Sequence, residues 1–162
     1  MENNNNLNEL NDIFLITEND VEQISKISTA YWSDEGEYPR KLLISIINEQ
    51  LSFSIKIQNE IIAFCLMKRD GFNDGYIFLI CVKDQYRHKG LGYKLINYCM
   101  SNAKKEQGIR KFFLHVSKCN EPAINLYKKF GFAIKKEYKN YYRSKKNPER
   151  NPAYMMFLKK KI

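Results

Sequence analysis

Apolar and polar positions along this chain recur with two periods, and the switches between them mark out the elements. Phe14-Leu15-Ile16 is a short apolar run that predicts a first strand. Val21, Ile24 and Ile27 recur at helical spacing behind Asn19 or Asp20 as a cap, and predict a helix with one apolar stripe. Ala30 to Tyr38 reads as a loop, after which Pro39 opens a second helix through Leu42, Leu43, Ile46 and Ile47. From Leu51 to Gln58 the period falls to two, the pattern of a half-buried strand. An Asn59-Glu60 turn and a strand from Ile61 to Lys68 complete a hairpin. A turn from Asp70 to Gly75 feeds the apolar strand Tyr76 to Val82. A helix starting near Leu91 and running toward Gln107 puts Leu91, Leu95, Cys99 and Ala103 on one face. A strand at 111–116, a helix after Pro122, and strands near Ala133–Tyr141 and Ala153–Leu158 follow. This order predicts a mixed α/β sheet flanked by helices, with neither an internal repeat nor a linker to divide it.

Composition changes this picture only at the edges. A chain of 162 residues, 44% hydrophobic and 14% aromatic, can bury the core of one domain. The Asn-rich start, residues 1–11, reads as a mobile tail and leaves 12–162 as the single domain. No apolar run reaches the length of a membrane span, and the N-terminus has no basic-then-apolar leader. A cytoplasmic protein with no membrane attachment is therefore expected. Cys65, Cys81, Cys99 and Cys119 lack both metal spacing and a disulfide framework, and read as reduced, buried thiols. The formal net charge of +9 favours an anionic partner: the phosphates of a ligand, a nucleic acid, or a ribosomal surface. Lys159-Lys160-Lys161 either joins in that attraction or is simply a solvated tail.

The candidate chemistry is concentrated in two segments. Gln85-Tyr86-Arg87-His88-Lys89-Gly90-Leu91-Gly92 lies between the Tyr76–Val82 strand and the long helix. A basic, Gly-containing loop that opens into a helix aims backbone N–H groups and the helix dipole at one spot, which suits a phosphate or pyrophosphate. A side chain at Gly90 or Gly92 is expected to hold the phosphates away. About two dozen residues on comes strand, loop and helix again: Leu114-His115-Val116, then Asn120, Ala123, Leu126-Tyr127 and the exit Gly131-Phe132. Other chemistries lack their residues. With only His88 and His115 and no clustered carboxylates, no metal site is expected. Neither a G-x-S-x-G elbow nor a G-x-x-x-x-G-K-[ST] loop occurs, and Cys119 near His115 has no supporting pattern.

Together the segments resemble motifs A and B of the GNAT superfamily of acetyl-CoA-dependent N-acetyltransferases. Arg87, Gly90 and Gly92 match [QR]-x-x-G-x-[GA]; Asn120, Ala123, Leu126, Tyr127, Gly131 and Phe132 match N-x-x-A-x-x-L-Y-x-x-x-G-F. The resemblance implies a GNAT fold, a mixed, mostly antiparallel sheet with a splayed parallel strand pair flanked by helices. It implies acetyl transfer to an amine. Backbone at Ile80, Cys81 and Val82 would bind the pantetheine arm of acetyl-CoA. Amides of Arg87, His88, Lys89, Gly90, Leu91 and Gly92 would hold its pyrophosphate. Tyr127 would face the thioester sulfur as acid or stabiliser. Asn120 would bond the pantetheine or hold the loop, and reads equally well as a helix cap.

A narrower resemblance rests on Tyr76, on His115 in L-H-V, and on Asn140-Tyr141-Tyr142. These look like the San-type catalytic subunit of N-terminal acetyltransferase E; RimI-like enzymes share the N-Y-Y and the late Ala153-Tyr154-Met155-Met156. The resemblance implies Tyr76 and His115 as a general base acting through water, with Tyr141 and Tyr142 gripping the substrate backbone. The San-type substrate loop, which contains Phe-Pro, is expected at Tyr31-Trp32-Ser33-Asp34-Glu35, making Tyr31 a substrate residue. Protein or peptide N-termini are then the partners, with the ribosome or an auxiliary subunit as further candidates. Acetylation of a small amine or a lysine side chain stays open through Asp34, Glu35 and Glu37. A non-catalytic RNA-binding module is the third reading, and it leaves Tyr127 and the glycine loop unexplained.

Overall fold

Strand β3 (Glu60–Asp70) sets the architecture, because every residue from Ile61 to Met67 is buried and both faces therefore need cover. The computed structural model describes residues 12–32 and 38–158; the Asn-rich start, residues 33–37 of the expected substrate loop, and Lys159-Lys160-Lys161 lie outside them. Among the described residues, seven strands form one sheet in the order β1-β2-β3-β4-β5-β7-β6. The others are β1 (Ile13–Leu15), β2 (Phe53–Ile57), β4 (Asp74–Val82), β5 (Lys111–Ser117), β6 (Phe132–Tyr138) and β7 (Ala153–Leu158). All neighbours run antiparallel except the parallel pair β4 and β5.

Helices α1 (Val21–Trp32) and α2 (Arg40–Ile47) cover one face, packing Val21, Ile24, Leu43 and Ile46 on Ile61, Phe64 and Leu66. Helices α3 (Leu91–Gln107) and α4 (Glu121–Lys129) cover the other, packing Leu95, Cys99, Ala103 and Ile124 on Ile62, Cys65 and Met67. Each fully buried Leu or Ile contributes about 1.5–3 kcal/mol, so the apolar stripes read from the sequence fix which way the helices face.

Several expectations are corrected. β2 is not half-buried: Phe53, Ser54 and Ile55 are all covered, because its polar positions are serines small enough to sit inside. Ser52 donates its hydroxyl to the Met67 carbonyl and accepts from the Met67 amide, at 3.2 and 3.0 Å. The hairpin turns at Gln58-Asn59, both at positive φ, and Glu60 already belongs to β3. Ala30, Tyr31 and Trp32 are helical, since Tyr31 lies four residues beyond Ile27 and extends its stripe. β6 stops at Tyr138, so Tyr141 lies in the turn beyond it. Cys119 is exposed, whereas the other three cysteines are buried.

One irregularity prepares the site. Leu66 pairs with Leu79 but Met67 with Ile77, so Phe78 is an extra residue in β4, a bulge that bends the strand. Parallel pairing of β4 with β5 runs from Asp74 only to Ile77. The two strands therefore part at the bulge, and Leu79 to Val82 keep a ladder with β3.

Candidate active site

At the C-terminal end of β4 a single 3-10 turn, Asp84–Tyr86, leads through Arg87 to Gly90 and into α3. Gly90 is left-handed (φ 77°) and serves as the helix cap with no side chain over the helix end. The first intrahelical bond is Lys94 N–H to the Gly90 carbonyl at 3.0 Å. The N–H groups of Leu91, Gly92 and Tyr93 precede it and have no carbonyl a turn behind them, which with the helix dipole makes an anion cradle. The two glycines act differently. A Cβ at Gly90 would meet nothing within 4 Å, so glycine is required there by conformation. A Cβ at Gly92 would lie 3.3 Å from Leu126 and 3.8 Å from Ile80 and Val82; it points into the protein rather than toward a phosphate, which corrects the expectation for that position.

Arg87 is exposed but engaged. Its amide donates to the Asp84 carbonyl (3.2 Å), its Nε to the Val82 carbonyl (3.1 Å), and its guanidinium meets the Asp84 carboxylate at 3.0 Å. The amide cradle thus begins at His88 (φ 60°), with Lys89 resting its ammonium over the Tyr86 ring. The Arg87 guanidinium lies over the Tyr31 ring, and the Tyr31 hydroxyl accepts from the Asp84 amide at 3.0 Å. Tyr31 is therefore placed at the loop end of β4 rather than with Tyr141 and Tyr142.

The opposite end of β4 gathers an aromatic cluster. Tyr76 pairs with Phe113 across the parallel ladder, and His115, two residues further along β5, shares that face. His115 Nδ1 lies 3.1 Å from the Tyr76 hydroxyl, which lies 3.4 Å from the Tyr141 hydroxyl. The Tyr141 ring stacks on His115 with centroids 4.4 Å apart, and Tyr142 packs edge-on to Tyr141 at 4.9 Å. Burial pushes the Tyr76 phenol upward, with the Tyr141 hydrogen bond adding to it. Burial pushes His115 below its usual value near 6.5. At neutral pH the pair is an intact phenol beside an uncharged imidazole, the form that can take up a proton.

Three aromatic members escaped sequence reasoning. Tyr138 packs against both His115 and Tyr141, with centroids at 5.6 and 5.7 Å. Tyr38 meets Phe78 edge-on at 5.3 Å, and Phe78 meets Tyr76 at 6.2 Å. Tyr38 precedes Pro39, so an aromatic-Pro pair borders this cluster seven residues beyond Tyr31, and the dipeptide itself was the available signal.

Between the two ends, Ile80 and Val82 turn toward α3 and α4, while Cys81 faces the α1–α2 core. Burial raises the Cys81 thiol to about 12, which leaves it inert. Asn120 caps α4, its carbonyl oxygen accepting from the Ala123 amide at 3.3 Å. Tyr127 is 5% exposed, edge-on to Phe132, and burial raises its phenol. No group of three or more His, Cys, Asp or Glu suited to a metal occurs among the described residues, and no helix there is long and apolar enough to cross a membrane. Asp34, Glu35 and Glu37 lie outside them.

A sheet splayed at a bulge, an amide cradle at one end of the gap and ionisable aromatics at the other define an acyltransferase of the acetyl-CoA type. The sequence profile of the Acetyltransferase (GNAT) family matches residues 18–132, and the chain belongs to that family, as an acetyl-CoA-dependent acetyltransferase. An N-alpha-acetyltransferase of Sulfurisphaera tokodaii is 29% identical over 136 residues, which cover 76% of this chain and 80% of that protein. The fold is shared with Ard1 from Thermoplasma volcanium (TM-score 0.78, 24% identity, 90% of this chain and 95% of that one). It is shared also with Arabidopsis thaliana Naa50 in complex with the bisubstrate analogue CoA-Ac-MVNAL (TM-score 0.75, 24% identity, 90% and 96%).

Proposed function

We propose that this enzyme acetylates the N-terminal α-amine of peptides or proteins by direct attack in a ternary complex. The observation that carries the reading is the stacked His115–Tyr141 pair with the Tyr76 hydroxyl 3.1 Å from Nδ1. Bound acetyl-CoA supplies the thioester that the amine attacks. His88 to Gly92 hold its pyrophosphate through their amides, and the unpaired edge of β4 beyond the bulge, around Ile80, Cys81 and Val82, holds the pantetheine arm.

An α-amine has a pKa near ~8 and must lose a proton before it attacks. His115, uncharged at neutral pH, accepts that proton through an ordered water that the Tyr76 hydroxyl helps to position. Tyr76, its phenol raised by burial, serves as a hydrogen-bonding hydroxyl and not as a phenolate. Tyr127 is a weaker acid than a thiol of pKa about 8.5, so it stabilises the departing sulfur by donating a hydrogen bond and retains its proton. Tyr141 and Tyr142 grip the peptide backbone, and Tyr38 and Phe78 wall the first side chain. Tyr31 braces the phosphate loop through Asp84 and Arg87 in place of the substrate role expected for it. The Sulfurisphaera relative, an N-alpha-acetyltransferase, and the Naa50 complex with CoA-Ac-MVNAL support the same substrate class.

The test compares a Met-Leu peptide with a free N-terminus against a matched peptide whose N-terminus is blocked and whose lysine is free. Turnover confined to the free N-terminus is expected. Turnover confined to lysine, or to neither while acetyl-CoA still binds, overturns the reading in favour of a lysine or small-amine acetyltransferase.

A further inference from the structure

The aromatic cluster is ringed by cations. Lys68 rests its ammonium 5.6 Å from the Tyr76 ring, Lys136 lies 4.7 Å from the Tyr138 ring, and Lys135 lies 5.6 Å from the Phe157 ring. Phe157 in turn stacks on Phe113, which stacks on Tyr76. Lys139 and Arg143 flank Tyr141 and Tyr142 in the chain, and Lys145 and Lys146 follow; all four are exposed. Residues 135–150 carry seven Lys and Arg against two Glu. One of those two, Glu137, is already engaged by Lys118 at 2.6 Å. None of Lys68, Lys135, Lys136, Lys139, Arg143, Lys145 or Lys146 pairs with a carboxylate among the described residues.

The backbone that carries Lys139, Arg143, Lys145 and Lys146 is held in place. The β6–β7 connection is pegged by Ser144, which is buried, through bonds to Asn147 and Asn151. A peptide whose amine reaches His115 leaves past Tyr141 and Tyr142, and its third to sixth residues, extended over about 13 Å, cross this basic rim.

We infer that the enzyme selects substrates with acidic residues at the third to sixth positions, read by Lys139, Arg143, Lys145 and Lys146. The inference rests on the peptide reading above and deepens it. It favours a peptide over a nucleic acid because the cations share their short segment with the tyrosines beside His115. Exposed ion pairs are individually weak and screened by salt, so selectivity comes from several acting together and from faster encounter.

Four peptides separate the possibilities: Met-Leu followed by four Glu, by four Ser, by four Lys, and the Glu peptide with a blocked N-terminus. At low salt the Glu peptide should exceed the Lys peptide by about 10-fold or more in kcat/KM, and the gap should close toward 0.5 M salt. The triple variant Lys139→Glu/Lys145→Glu/Lys146→Glu should erase or invert the order while turning over the Ser peptide as before, which shows that it folds. Equal turnover of the Glu and Lys peptides, with the Ser peptide a good substrate, overturns this inference and leaves the parent reading standing. No turnover of any free N-terminus overturns both. Inhibition by an RNA oligonucleotide that the triple variant escapes, with no discrimination among peptides, overturns it in favour of a nucleic-acid surface.

Discussion

His115 sits where its ring has a hydroxyl on one nitrogen and a tyrosine face against it, and both contacts depend on its side chain alone. His115→Ala should therefore lower kcat on a peptide by about 100-fold or more while acetyl-CoA affinity holds, since the phosphate loop lies at the far end of β4. An unchanged kcat would remove it from the chemistry. The pH profile carries a second signature. Burial lowers the pKa of His115, so the protonated, inactive imidazole appears only below the ordinary value near 6.5. Activity should fall as pH drops through that lowered pKa, with the acid limb of kcat below pH 6.5 and lost in His115→Ala. A limb above 6.5 would contradict the burial argument. His115, Tyr127 and the two glycines were legible because each stands inside a short contiguous motif. Tyr138 was not, because strand register brings it to His115 and leaves no local pattern, and Tyr38 reaches the cluster only through Phe78, the bulge residue.

At the scale of elements, the splay between β4 and β5 and the β6–β7 connection decide where the chemistry can occur. Ile77-Phe78-Leu79 reads as uninterrupted strand, so the bulge is invisible in the sequence although it opens the gap; the apolar run gave the strand and tertiary pairing gave its bend. The connection after β6 is organised by Asn151. Its carbonyl accepts from the amides of Tyr141 and Tyr142 at 2.8 and 3.3 Å, and its side chain bonds the amide and carbonyl of Ser144. Asn151→Ala keeps the first pair and deletes the second, two bonds worth about 1 kcal/mol each. The connection should loosen and the peptide KM rise several-fold, with the KM for acetyl-CoA unmoved. An equal rise for both substrates would mean that the whole sheet edge had been disturbed, and no rise would mean that the backbone bonds alone hold Tyr141.

Across the whole molecule the two cores differ in what they serve. The α1–α2 core stiffens the sheet from behind, whereas the α3–α4 core carries both the phosphate cradle and Tyr127. Cofactor binding should consequently stabilise the entire fold, because an unfolded chain presents no cradle. At a CoA concentration 100 times its Kd the gain is about 2.7 kcal/mol. For a domain of this size that is a rise of roughly 5–10 °C in Tm. Gly90→Asp isolates the effect. A Cβ there has no packed neighbour within 4 Å, and Asp tolerates the left-handed φ of 77° better than most residues, so the variant should fold with its Tm lowered by only about 2–4 °C for the strain. The new carboxylate stands at the cradle, where it repels phosphates, so the CoA-dependent rise should vanish while the cofactor-free Tm drops only by that small amount. A full thermal shift in Gly90→Asp would show that the pyrophosphate is held elsewhere, and the assignment of His88 to Gly92 would fall with it.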